Sequence, residues 1–381
     1  MSGAPPPRTL AVFLSNGFSL TRWRKEGLQT RELLLYRELL RTGAFERVLF
    51  FSYDPADRAE VERLNAEGAG GLEAATPSRR LGGLTGAAAA VWGVLGVFVH
   101  HGRLKRAAWL KTNQITGSWA AVVAAWTTGR PLLVRLGYLL SRRFERNAEG
   151  ARARLARAVE AVAFRAATRV AVTSQDAAET VRADPRVAPK VVLLPTYVDV
   201  DLFSPKAGYD FSAPIVSVGR LESQKNVLNL VRACARIGRP LHMFGRGSLE
   251  AEVRAVAAET GAEVSLMGAV PNEELAERLR AYTVFAIPSH HEGLPKALIE
   301  AMALGLVCVG TRTAGITDLI EDERSGYLID GTEPEAIAAR LAYALEQRDR
   351  QIGRAARERI NAGFSLARYV AAERAIYEQA R

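Results

Sequence analysis

Cysteine is close to absent. The 381 residues hold two, Cys234 and Cys308, both inside apolar runs and neither in a metal-type spacing. A disulfide scaffold and a cysteine-built zinc site are thereby excluded, and two buried, reduced thiols remain. Long apolar runs are missing too: no acid-free apolar stretch reaches the length of a bilayer span. The opening segment MSGAPPPR is polar and proline-rich, unlike a secretory leader. A cytosolic, reducing location is the expectation. No internal repeat or low-complexity tract breaks the chain. No acidic pair of the DxD kind stands in a suitable loop, so a bound divalent metal is not expected.

Negative charge is what the first half lacks. The net charge is +10, but residues 1–200 carry 29 Lys and Arg against 17 Asp and Glu, and residues 201–381 carry 22 against 24. Between Glu73 and Glu145 there is no acidic residue at all, while ten Lys or Arg occur there. A solvated basic face explains this. So does a surface that meets anions: a phosphorylated acceptor, an anionic membrane surface or nucleic acid. Nucleic acid is set aside because no aromatic-interleaved basic motif appears.

What is present is strand–helix alternation. Its centre is Ile287–Val309, reading IPSHHEGLPKALIEAMALGLVCV. The apolar strand Val284–Ile287 is closed by Pro288. A loop follows with Glu292 and Gly293 at its tip. A helix-like run from Lys296 to Leu304 then ends at Gly305, and a second strand begins at Leu306. So few connecting residues make a βαβ unit of a parallel sheet. Ligands of such sheets sit beyond the carboxyl ends of the strands. Glu292 and Glu300 are therefore placed to face one ligand.

The same pattern runs through the rest of the chain. In the first half, strands are expected at 9–14, 48–51, 107–110, 131–136, 169–172 and 191–194, with helices between them, including Lys25–Arg41 and one long basic helix over Ser141–Ala167. The loop Ser15–Ser19, with Gly17, opens a helix whose free N–H groups form an anion cradle; a plain turn glycine is the simpler reading. Asn113 and Gln114 follow one strand, and Arg135 and Tyr138 flank Gly137 at the end of another. The run Leu81–His101 is uncharged, rich in glycine and alanine, and followed by Arg103, Lys105 and Arg106. It is expected to be a buried helix, because no polar face is visible; the alternative is a segment dipping into a membrane interface.

After Pro195–Phe203, the candidate domain connection, the alternation restarts. The strand 215–218 ends in Gly219 and Arg220, with Lys225 five residues on. Two cations over one strand end suit a diphosphate, Arg as a fork and Lys as a point charge. They are equally what two solvated loop cations would look like. Gly245 and Gly247 end the strand 241–244 as half of a dinucleotide fingerprint. Asn272 is expected to cap the helix 273–282. Three helices close the chain.

These motifs carry a resemblance. VGRLESQKN, FGRGSLE, LMGAVPNEEL and PSHHEGLPKALIEAMALGLVCVGT, in this order and spacing, resemble the donor domain of GT-B glycosyltransferases of the retaining family 4 (glycosyl transferases group 1), and PTYVDVDLF resembles the family's linker. The resemblance covers nearly all of the chain from Pro195 onward and is looser before it. It implies an α/β fold of two Rossmann-like, doubly wound domains facing a central cleft. Residues 1–198 would bind the acceptor and residues 199–381 the donor, with the last helix, about 365–381, crossing back to the first domain. It implies transfer of a sugar from a nucleoside diphosphate sugar to a glycan, lipid-linked or small-molecule acceptor, with retention and without a metal or other cofactor.

Carried over residue by residue, Glu292 lies beside the sugar, with Gly293, Leu294 and Pro295 offering backbone groups. Glu300 takes the ribose. Gly219, Gly245, Arg220 and Lys225 take the diphosphate, and Met267 and Val270 hold the base. Glu292, Arg220 and Lys225 are the catalytic candidates. Gly17, Asn113, Gln114, Arg135 and Tyr138 are the acceptor-side candidates. One departure stands out: Gly137 occupies the place where many relatives keep a histidine, so Arg135, Asn113 or Gln114 would take over its role. A sugar-nucleotide epimerase or a non-catalytic binding protein are the alternatives, and a peripheral position on the cytoplasmic face of a membrane is a further expectation.

Overall fold

The computed structural model describes residues 8–78, 86–146, 149–205 and 208–379. By contact the chain divides into two units, Met1–Leu194 with Val370–Arg381, and Pro195–Tyr369. Each is built on one parallel sheet.

The first unit contains β1 (Thr9–Phe13), β2 (Arg47–Phe51), β3 (Leu72–Ala75), β4 (Trp109–Thr112), β5 (Leu132–Leu136), β6 (Arg169–Val172) and β7 (Val191–Leu193). They lie in the order β3-β2-β1-β4-β5-β6-β7, all neighbours parallel. The central strands read as continuous apolar runs because both faces are covered. β3 was not expected. Its sequence, LEAA, lacks β-branched residues, and the sheet edge tolerates Glu73 because Arg47 and Arg103 pair with it.

The helices depart from expectation in three places. The expected helix 25–41 is two: Leu20–Lys25, capped by Ser19, and Gln29–Arg41. The long basic helix is also two, Leu140–Arg146 and Gly150–Ala166. The uncharged run forms the helix Gly86–Val99, its first residues lying outside the described ones; it is half-exposed rather than buried.

The last helix, Leu366–Gln379, starts in the second unit and ends in the first. It is fastened there by a buried ion pair, Lys111 Nζ to Glu373 Oε1 at 2.6 Å, with side chains 1% and 0% exposed. Tyr377 Oη donates to the same oxygen, and Trp109 Nε1 donates to Tyr377 O. Burial holds the Lys111 ammonium below its ordinary value against the pull of the Glu373 carboxylate.

The second unit contains β8 (Ile215–Val218), β9 (Leu241–Phe244), β10 (Val264–Gly268), β11 (Val284–Ile287), β12 (Val307–Thr311) and β13 (Tyr327–Ile329), in the order β10-β9-β8-β11-β12-β13. All neighbours are parallel. The chain winds outward from β8 to β10, then returns to lay β11 on the other side of β8. The strand order therefore reverses between β8 and β11, and that is the position at which open α/β sheets bind ligands. Cys234 and Cys308 are buried in this unit, and burial pushes both thiols up, Cys234 to about 12. Asn272 is not a cap: it is the first residue of the helix Asn272–Leu279, which Pro271 precedes with no side-chain capping bond.

Candidate active site

The loops after β8 and β11 meet at the switch point. Ser223–Lys225 forms one 3-10 turn, and Asn226 adopts a left-handed conformation with φ 55° to launch the next helix. Gln224 stitches the two loops together: its carbonyl accepts from His290 N and its Nε2 donates to His291 O. Thr311 Oγ1 donates to Ser289 O, tying in the end of β12.

This stitching places Lys225 against Glu292. Lys225 Nζ lies 2.6 Å from Glu292 Oε1, with side chains 18% and 7% exposed. A charge-assisted bond in so dry a place is far stronger than its surface counterparts. Arg220 is in the same loop but points elsewhere: it is 63% exposed and its Nη1 lies 3.0 Å from Glu222 Oε2. Arg220 and Lys225 nonetheless line one small cleft, together with Gly219 and Ser289.

Two glycines account for the close loop packing. Gly245 has φ +135°, and a Cβ on it would lie 1.9 Å from Gly219 O. A Cβ on Gly315 would lie 1.7 Å from Gly293 O. Backbone crosses backbone at both points, so no side chain fits. Gly315 lies in the short helix Ala314–Thr317 just after β12, and that short gap is its only signal in the sequence.

Glu300 is buried, 3% exposed, in the second turn of the helix Lys296–Ala303, which Pro295 opens. Leu294, Met267 and Val270 are half-buried on the core beneath the sheet. Gly268 O, beside Met267, accepts from Gly245 N, which holds the end of β10 to the site.

In the first unit the acceptor-side candidates gather at the ends of β1, β4 and β5, which are neighbours. Asn113 is buried, and its Oδ1 accepts from Tyr36 Oη at 3.3 Å. Gln114 Oε1 is buried with no partner among the described residues, and a Cβ on Gly137 would lie 3.6 Å from it. Gln114 therefore borders the space that a side chain at 137 would enter. Arg135 is half-buried and Tyr138 is 38% exposed. Gly17 sits in a turn with φ +81°, its carbonyl bonded to Arg22. The plain turn reading of Gly17 holds, and the alternative anion cradle is filled from within, because the buried Asp57 carboxylate accepts from Leu20 N and Thr21 N.

The fold and this arrangement define a class: two parallel Rossmann-like sheets, the GT-B architecture, with a charged site at the switch point of the second. The Anabaena protein HepE, solved with UDP and glucose, has the same fold with a TM-score of 0.74 at 18% identity, over 98% of this chain and 100% of that one. The glycosyl transferases group 1 family model matches residues 210–359, the greater part of the second unit. The amylovoran biosynthesis glycosyltransferase AmsK of Erwinia amylovora is 36% identical over 140 residues, 33% of this chain and 34% of AmsK. The alpha-maltose-1-phosphate synthase of Mycolicibacterium smegmatis is 32% identical over 180 residues, 42% of this chain and 46% of that protein. The chain spans less than half the length of the curated relatives it matches.

Proposed function

We propose that the chain is a glycosyltransferase that moves a sugar from a nucleoside diphosphate sugar to a glycan, lipid-linked or small-molecule acceptor with retention of the anomeric configuration. The observation that carries this reading is the Lys225–Glu292 pair, 2.6 Å apart at the reversal point of the second sheet, inside the stretch that matches the glycosyl transferases group 1 model. The fold neighbour that holds UDP and glucose supports a nucleoside diphosphate sugar as the donor.

In this reading the bond between the anomeric carbon and the β-phosphate oxygen breaks, and negative charge grows on the diphosphate. Lys225 is already positioned to answer it, and the exposed Arg220 exchanges Glu222 for the diphosphate. A preplaced cation such as Lys225 favours the transition state because it needs little reorganisation as charge develops. The departing phosphate takes the acceptor's proton on the face where the new bond forms. Glu292 lies beside the sugar, Glu300 takes the ribose hydroxyls, Gly293, Leu294 and Pro295 border the sugar and phosphate, and Met267 and Val270 border the base. Gly219, where a Cβ would meet only the Lys225 side chain, leaves room for the diphosphate to reach the backbone, and Gly245 lets its strand end pack against Gly219.

On the acceptor side, Asn113, Gln114, Arg135 and Tyr138 bind the incoming hydroxyl. The unpartnered Gln114 Oε1 beside Gly137 favours transfer over an epimerase, which needs no acceptor contact. Among the described residues, no helix is long and apolar enough to cross a membrane.

Calorimetric titration of the full chain with UDP, GDP and ADP tests the donor site. One of them binds saturably, and Lys225→Met weakens it by roughly 10- to 150-fold, the worth of one charge-assisted hydrogen bond. Binding of none, or binding indifferent to Lys225, removes the reading.

A further inference from the structure

The helix Gly86–Val99 has no polar face. Its inward side is sealed against the domain: Trp92 Nε1 donates to Ser52 O at 3.1 Å, and a Cβ on Gly93 would fall 1.7 Å from the Trp119 ring. Its outward side carries Val91, Val94, Leu95, Phe98 and Val99, exposed by 55, 38, 54, 56 and 68%. Five of the thirteen large hydrophobic side chains exposed among the described residues stand on this one helix. The spacing 91, 94, 95, 98, 99 is a single helical stripe, so the exposure is one continuous band. Isolated exposed apolar residues need no explanation; a band of this kind does.

The surroundings say what covers it. Just past the helix, His101 Nε2 lies 3.2 Å from Thr127 O, which brings up Trp126, 66% exposed, at the end of the neighbouring helix. Arg130 Nε donates to Lys105 O at 2.7 Å, so Lys105, Arg106 and Arg130 share that end. All three are exposed, and none forms an ion pair with a described residue. Arg103 is different, being bonded to Glu73. No carboxylate lies anywhere between Glu73 and Glu145 to answer these cations.

We propose that this face docks the first unit onto an anionic lipid bilayer. The helix lies in the plane of the interface, with Val91, Leu95 and Phe98 entering the boundary between head groups and acyl chains. Trp126 sits at head-group depth, where its ring and N–H are both accommodated. Lys105, Arg106 and Arg130 meet lipid phosphates. At about 1.5 Å per residue the helix is roughly 20 Å long, too short to span a core of about 30 Å. A second copy of the chain fits worse, because a self-complementary contact brings like charges together with no carboxylate on the face between them.

The docking is independent of the transfer chemistry and is read without donor or acceptor. The full chain is floated with phosphatidylcholine vesicles and with vesicles containing phosphatidylglycerol. It floats with the anionic vesicles at low salt and is released as salt rises. Leu95→Glu/Phe98→Glu, at exposed positions, leaves the melting temperature unchanged and cuts vesicle binding about tenfold or more. Lys105→Glu/Arg106→Glu weakens binding to the anionic vesicles by roughly fivefold per cation. Three results overturn the proposal: no flotation at low salt, flotation that ignores Leu95→Glu/Phe98→Glu, or a dimer in sedimentation velocity that the same double change dissociates while vesicles bind nothing.

Discussion

Glu292→Gln separates catalysis from donor binding. In the structure the Glu292 carboxylate holds Lys225 Nζ at 2.6 Å, with the two side chains 7% and 18% exposed. A donor diphosphate must compete with that carboxylate for the same ammonium. Gln keeps the size and one oxygen but removes the competing charge. The free nucleoside diphosphate should therefore bind the Gln variant at least as tightly as the parent protein. Lys225→Met behaves oppositely: it loses a hydrogen bond to a charged group, about 1.5–3 kcal/mol or roughly 10- to 150-fold in Kd. Transfer falls in both. For Glu292→Gln the loss is about 100- to 1,000-fold in kcat, the scale of deleting one group aimed at developing charge. Calorimetry reads binding, release of nucleoside diphosphate reads turnover, and circular dichroism checks folding. Undiminished transfer by the Gln variant, or diphosphate binding as weak as in the Met variant, refutes the reasoning.

Three further outcomes follow from the geometry. Lys111→Met leaves Glu373 charged and buried, and should cost about 3–5 kcal/mol in urea unfolding, most of which Lys111→Met/Glu373→Leu regains; equal stability of all three would deny the pair any role in fastening the last helix. Gly315→Ala places a methyl carbon where only 1.7 Å separates it from Gly293 O, so donor affinity should fall while the unit still folds cooperatively; unchanged affinity would mean the loop is not part of the site. Burial holds the half-buried His100 imidazole below its ordinary value of 6.5, even though its Nε2 contacts Thr76 O. Its contribution to stability is therefore full above pH 6.5 and lost as pH falls through the folded value, and His100→Gln should flatten the acid side of the stability profile there.

Much of the second sheet was legible from sequence because its strands are short apolar runs ended by glycine or proline, each followed by an amphipathic helix. Gly219, Arg220, Lys225, Glu292 and Glu300 stood out as chemistry-bearing residues at strand ends. The sequence could not reveal that β11 lies beside β8, since sheet order is a tertiary property, and without that order Lys225 and Glu292 have no reason to meet. Nor could it show that Arg220 turns to Glu222, a neighbour two residues away. In the first half, LEAA hid β3 because an edge strand needs no β-branched run. The helix Gly86–Val99 was misjudged for a related reason. A helix apolar on all sides has no periodicity to show which side faces out, and only the packing of Trp92 and Trp119 decides it.

The central claim is transfer from a nucleoside diphosphate sugar at the Lys225–Glu292 site. The full chain, incubated with UDP-, GDP- and ADP-sugars and a panel of glycan and lipid-linked acceptors, should release nucleoside diphosphate from one donor class in an acceptor-dependent way, and Glu292→Gln should slow that release about 100- to 1,000-fold. Release from no donor by a protein that binds its nucleotide, or release that Glu292→Gln leaves intact, would contradict it.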